Sequence, residues 1–177
     1  MSVLLRTRVY HKYTMFRKAN LAELMREELP PIAYQKRLCY RTDYDEVVAL
    51  YRMLNKLVFN NKLIMPEIEV MGRCRKYWGM CYGATTMPTK NKSYCKIRMM
   101  DKWYCRQWLI TVLAHEMCHQ YQWDVEGLKR LKRGQEPIMS HGPSFFIFRD
   151  KLKKLGIPLK SAHSKRRWFL HQNLFKC

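Results

Sequence analysis

Several things are scarce in this sequence, and each scarcity removes a class of protein. Acidic residues number 14 against 34 Lys and Arg, and they form no cluster of carboxylates. A two-metal nuclease, which needs several carboxylates to hold its pair of ions, is therefore not expected. The seven cysteines are odd in number and none falls in a C-x-x-C pair, which argues against a zinc ribbon and a secreted disulfide framework. Most are expected as buried thiols in the reducing interior of a cell. No stretch approaches about 18 apolar residues, and Val3-Leu4-Leu5 is too short for the apolar core of a signal peptide. The expectation is a soluble intracellular protein with no membrane partner. Internal repeats and low-complexity linkers are absent as well.

What is present points to one folded domain with a polyanionic partner. At 177 residues with 47% hydrophobic content, the chain can bury a substantial core. Its net charge of +20 favours a polyanion, and the basic residues interleave with aromatics in Arg75-Lys76-Tyr77-Trp78, Lys102-Trp103-Tyr104 and Lys165-Arg166-Arg167-Trp168-Phe169. That pattern suits nucleic acid better than a merely solvated face.

In chain order, residues 1–19 are basic and aromatic, and read either as an edge strand or as a nucleic-acid-contacting arm. Asn20 caps a short helix from Leu21 to Leu29, ended by Pro30-Pro31. A second helix starts at Thr42 or Asp43, carries Val47, Leu50, Tyr51, Leu54, Leu57 and Val58 as an apolar stripe, and closes at Asn60-Asn61. Strands are expected over Ile64–Met71, within Arg73–Ala84 and over Tyr94–Met100, forming a small antiparallel sheet. A largely buried helix then runs from about Tyr104 to Trp123, with Gly127 breaking the pattern. A basic loop follows, carrying Lys129, Arg130, Lys132 and Arg133. The last helix is expected to open at His141-Gly142-Pro143, present Phe145, Phe148, Leu152 and Leu155 to the core, and stop at Gly156.

The chain is organised around His115-Glu116-Met117-Cys118-His119, an H-E-x-x-H sequence behind the apolar lead-in Trp108–Ala114. Residues four apart on a helix lie one above the other, so the two imidazoles address one point. With a carboxylate beside the first, they describe a zinc site carrying its own general base, Glu116. A third histidine is needed, leaving a fourth position for water. His141 follows His119 by 22 positions; His11, His163 and His171 are the alternatives, each in a basic, less regular setting suited to a phosphate contact or plain exposure. A non-enzymatic zinc-containing protein, nucleic-acid-binding or regulatory, is the rival reading, but a purely structural site has no need of Glu116.

At these residues the sequence resembles the SprT-like metalloproteases, including the Spartan proteases that act on DNA–protein crosslinks. The resemblance lies in His115–Gln120, in His141-Gly142-Pro143-Ser144-Phe145, in the Cys95–Arg98 strand and in Leu57–Leu63, and spans roughly residues 43–155. It implies an α+β zincin-like fold, helices on a small sheet, with His115, His119 and His141 holding Zn2+. It further implies DNA, single-stranded or duplex, as partner and DNA-bound proteins as substrates. The division it suggests is a basic arm and short helix over 1–42, a metalloprotease core over 43–158 and a basic aromatic tail over 159–177. No ribbon of the kind many family members use to grip DNA is visible, so that role falls to Lys129, Arg130, Lys132 and Arg133, to Arg149 and Lys153 of the last helix, and to Lys165, Arg166, Arg167 and Trp168 of the tail. A monomer is expected, of the minimal size of a bacterial or phage-type member.

Overall fold

The computed structural model describes residues 38, 40–72, 77–83, 92–138 and 140–163. The N-terminal arm, the short helix expected at Leu21–Leu29, His11, His171 and the tail residues Lys165, Arg166, Arg167 and Trp168 lie outside them. Strand β1 (Tyr40–Arg41) leads into helix α1 (Tyr44–Leu57); β2 (Glu67–Met71), β3 (Gly79–Gly83), β4 (Cys95–Met100) and β5 (Lys102–Trp103) follow. Helix α2 (Arg106–Tyr121) runs on into a π-helical turn (Gln122–Gly127) and the short α3 (Leu128–Leu131). A 3-10 turn (Phe145–Phe148) and α4 (Arg149–Lys154) complete the set.

Helix α1 forms for the reasons its sequence advertises. Asp43 caps it by accepting a hydrogen bond from the Glu46 amide at 2.8 Å, and Asp45 and Glu46 occupy the first turn, where the helix dipole favours negative charge. Val47, Leu50, Tyr51 and Leu54 are its buried stripe. The helix ends at Leu57, and Asn60 and Asn61 follow with φ of 55° and 56°, a left-handed conformation that asparagine tolerates better than most residues. Asn55 holds that turn against the helix, donating to Leu63 O at 2.8 Å and accepting from Leu63 N at 3.1 Å. Glu46 then ties three elements together: it accepts from Tyr40 and from Thr42, and forms an ion pair with Arg106 at the start of α2.

The main sheet has the order β2-β4-β3. Strands β3 and β4 pair antiparallel, but β2 pairs parallel with β4, so the sheet is mixed and not the antiparallel one expected. Alternation of apolar residues reveals a strand and its faces, not the direction of its neighbour. Strand β4 takes the centre, with Cys95, Ile97, Met99 and Met100 buried, while Lys96 and Arg98 meet Glu67 and Glu69 of β2 in ion pairs. A second, two-stranded ribbon joins β1 to β5 antiparallel.

Helix α2 lies in the middle of the core, with every residue from Gln107 to Tyr121 buried. Its first half meets an aromatic cluster in which Trp78 contacts Trp103, Tyr104 and Trp108 at centroid distances of 5.6, 5.3 and 6.0 Å. Gly127 does not break this helix. It is buried in the continuous helical run, where an added Cβ would come within 3.1 Å of Gln122 O and 3.3 Å of Pro137. The last helix also differs from expectation. His141–Ser144 form turns, the 3-10 segment intervenes, and α4 proper starts only at Arg149. Gly156, at φ +75°, ends it as expected. Among the described residues no helix is long and apolar enough to cross a membrane.

Candidate metal centre

The two halves of the helical motif and the turn after α3 meet at one point. The Nε2 atoms of His119 and His141 lie 3.1 Å apart, and those of His141 and His115 lie 3.3 Å apart. Four ligands disposed tetrahedrally about a zinc ion at its usual distance from nitrogen would stand about 3.4 Å from one another. The three histidines together could hold one metal ion.

The outer nitrogens settle which ring atom faces inward. His115 Nδ1 lies 3.0 Å from Lys160 O, a carbonyl that can only accept, so Nδ1 carries the proton and Nε2 offers its lone pair. His119 Nδ1 lies 3.0 Å from Gln122 Oε1, while Gln122 Nε2 donates to Ser140 O at 2.8 Å. That second carbonyl fixes the amide's orientation, and the amide fixes the His119 tautomer in the same sense. Two lone pairs thus converge with the His141 ring on one small volume, an arrangement that a cation relieves. The donor set fits a zinc ion.

Burial keeps the rings neutral. It pushes His119 down to about 4 and His115 lower still, with the neighbouring histidines adding to the effect on His115. Phe145, fully buried, lines the cluster: its ring centroid stands 4.8, 4.6 and 4.7 Å from those of His115, His119 and His141. His163, which the sequence placed in a loose basic setting, instead packs edge-on against His115 at 5.0 Å and Trp108 at 5.3 Å. It does not join the three-histidine set.

Glu116 points to the sheet. Its Oε2 accepts a 2.7 Å hydrogen bond from the Cys81 amide of β3. Burial raises its pKa to about 8, against the lowering effect of that bond. Strand β3 can approach so closely because residue 79 is glycine: a Cβ there would lie 2.8 Å from Val112 Cγ1 and 3.1 Å from Glu116 Cγ.

The basic residues proposed from sequence are divided by the structure. Lys129 bonds Glu126 at 2.9 Å, and Arg130 donates to Glu136 O at 2.7 Å, so both have local partners. Both lie on α3, where a loop was expected. Lys132 and Arg133 are exposed just beyond. Arg149 sits 3.8 Å over the Phe146 ring, and Lys153 is exposed on α4. On the same helix, Lys151 is tied to Val58 O and Asn60 Oδ1.

Sequence reasoning passed over Gln122, the main-chain groups of Cys81 and Lys160, and the closeness of Gly79. Only Gln122 left a signal, as a polar residue one turn beyond His119.

A helix-borne H-E-x-x-H with a third histidine from a following turn, set in an α+β domain, defines a metalloprotease centre. The chain belongs to the SprT-like family, whose model matches residues 47–163 and so takes in all three histidines and Glu116. The zincin-like character of the fold follows from that membership. A comparison with curated proteins finds no match.

Proposed function

We propose that this chain is a zinc endopeptidase acting on proteins bound or crosslinked to DNA. The observation that carries the proteolytic part is the convergence of three imidazole nitrogens beside a buried glutamate. A zinc ion there would polarise the scissile carbonyl and acidify the attacking water. Glu116 takes the proton from that water and delivers it to the departing amine. The Cys81 amide holds one carboxylate oxygen throughout. Burial alone would keep Glu116 protonated near neutral pH, but a cation close by favours the ionised form and readies it as a base.

The DNA part rests on charge. Against a net +20, Lys132 and Arg133 precede the turn that carries His141 in the chain and Lys153 follows it, all three exposed, and a nucleic acid held by such side chains would deliver its bound proteins to the enzyme. The test is cleavage of a DNA-binding protein by the zinc-loaded chain, with and without DNA, beside Glu116→Gln. Cleavage that needs DNA and drops by about 10²–10⁴ in the variant is the expected result. Cleavage undiminished in Glu116→Gln would overturn the mechanism. Zinc and DNA binding without any cleavage would favour a non-enzymatic zinc protein.

A further inference from the structure

Resting on the metalloprotease reading above, we infer that Gln122 is a positioning residue that pre-sets the metal site, fastening the helix-borne His119 and the His141 turn to each other through one amide. Its Oε1 accepts from His119 Nδ1 at 3.0 Å; its Nε2 donates to Ser140 O and to Ser144 Oγ, both at 2.8 Å. Ser140 directly precedes His141 in the chain, and Ser144 precedes Phe145, whose ring contacts all three histidines. One planar group therefore reaches a ligand on α2 and both flanks of the turn that brings the third ligand.

The position of Gln122 is itself unusual. It is the first residue of the π-helical turn Gln122–Gly127, and it is buried at 1% exposure. Such turns inside a longer helix occur often at functional sites, because the wider coil redirects a side chain. A buried amide with its acceptor and both donor hydrogens engaged resists rotation, since any flip would set Oε1 against Ser140 O and Nε2 against His119 Nδ1–H. Gln122 thereby selects the His119 tautomer with Nε2 free. It also fixes how far the His141 turn stands from α2 before any ion arrives.

The experiment measures zinc affinity by competition with a chromophoric chelator, and the His119 tautomer by 15N NMR of the metal-free chain. Wild type, Gln122→Ala and Gln122→Glu are compared. Gln122→Ala is expected to bind zinc about 10–100-fold more weakly, and its His119 to lose the single Nδ1–H form. Gln122→Glu keeps the volume and the acceptor for His119 but loses both donors to the turn. It should retain the tautomer and lose zinc affinity several-fold, and it decides the matter if the alanine variant does not fold. Wild-type affinity in either folded variant overturns the role of Gln122. Absence of zinc binding by the wild-type chain overturns the metalloprotease reading instead.

Discussion

Helix α2 and the π-helical turn that continues it bury two polar clusters, and they are buried on opposite terms. At Gln120 and Asp124 every contact closes on another. Asp124 accepts from the Tyr94 amide at 2.8 Å, from Ser93 Oγ at 2.6 Å and from Gln120 Nε2 at 2.9 Å; Gln120 donates as well to Ile64 O at 2.7 Å and accepts from Tyr51 at 2.9 Å. Hydrogen bonds of this kind, with donors matched to acceptors, tie α1 and the segments leading into β2 and β4 to the helix. At His115, His119 and His141 the outer nitrogens of the two helical rings are satisfied, but the inner ones face each other. A complete network makes structure, whereas an incomplete one facing a shared point makes a binding site. The continuous helical run of α2 and its π-helical turn contributes to both within ten residues, His115 to Asp124.

The contrast can be broken from either side. Zinc should act on the histidine cluster alone, and at free zinc near a thousandfold above its dissociation constant it stabilises the fold by about 4 kcal/mol. Calorimetry with and without a chelator measures this, and coincident melting curves would rule out a preformed site. Asp124→Ala strands several buried donors at once and should cost about 3 kcal/mol in denaturant unfolding, while the folded variant keeps its zinc affinity. A variant that keeps its stability but loses zinc would reverse the assignment of the two clusters.

Acid gives a smaller effect, specific to the metal-free protein. The folded His119 titrates at about 4, below its ordinary 6.5, so the unfolded chain binds more protons between those values. Stability is complete above about pH 6.5 and is lost as pH falls toward 4, by about 2 kcal/mol at pH 5 from this residue. Denaturation of the chelated protein at pH 7.5 and pH 5 checks the sign. The smallest change expected is in Gly79→Ala, where pushing β3 off α2 by a few tenths of an ångström loosens the Cys81 contact to Glu116. Peptide cleavage should slow about tenfold, or about 1.4 kcal/mol in the barrier, with zinc affinity unmoved; an equal loss of zinc would mean that the whole site had shifted.

The parts legible in the sequence are those in which side-chain identity and spacing carry the information. The stripe of Val47, Leu50, Tyr51 and Leu54 marked α1, and the alternation of Cys95, Ile97 and Met99 marked β4. His115 and His119 followed from helical geometry, and His141 from its resemblance to a known pattern. The features that escaped depend on partners. The parallel pairing of β2 is a property of two strands and is invisible in either alone. Gln122 was one polar residue among several until the turn at Ser140 and Ser144 folded back against it. What reaches His115 from Lys160 is its carbonyl, which every residue possesses and no sequence marks. His163 was read from its basic neighbours, whereas its ring is placed by Trp108 and His115.

That two contacts at the site come from the main chain bears on how this protein tolerates change. The Cys81 amide that holds Glu116 and the Lys160 carbonyl that orients His115 survive nearly any replacement of those side chains. At position 81 proline alone would delete the donor. What cannot drift is the path of the backbone that delivers them, and at β3 that path depends on the missing side chain of Gly79. Variation can therefore collect at the residues that touch the base and the ligand, while the constraint falls on a neighbour that makes no hydrogen bond to either.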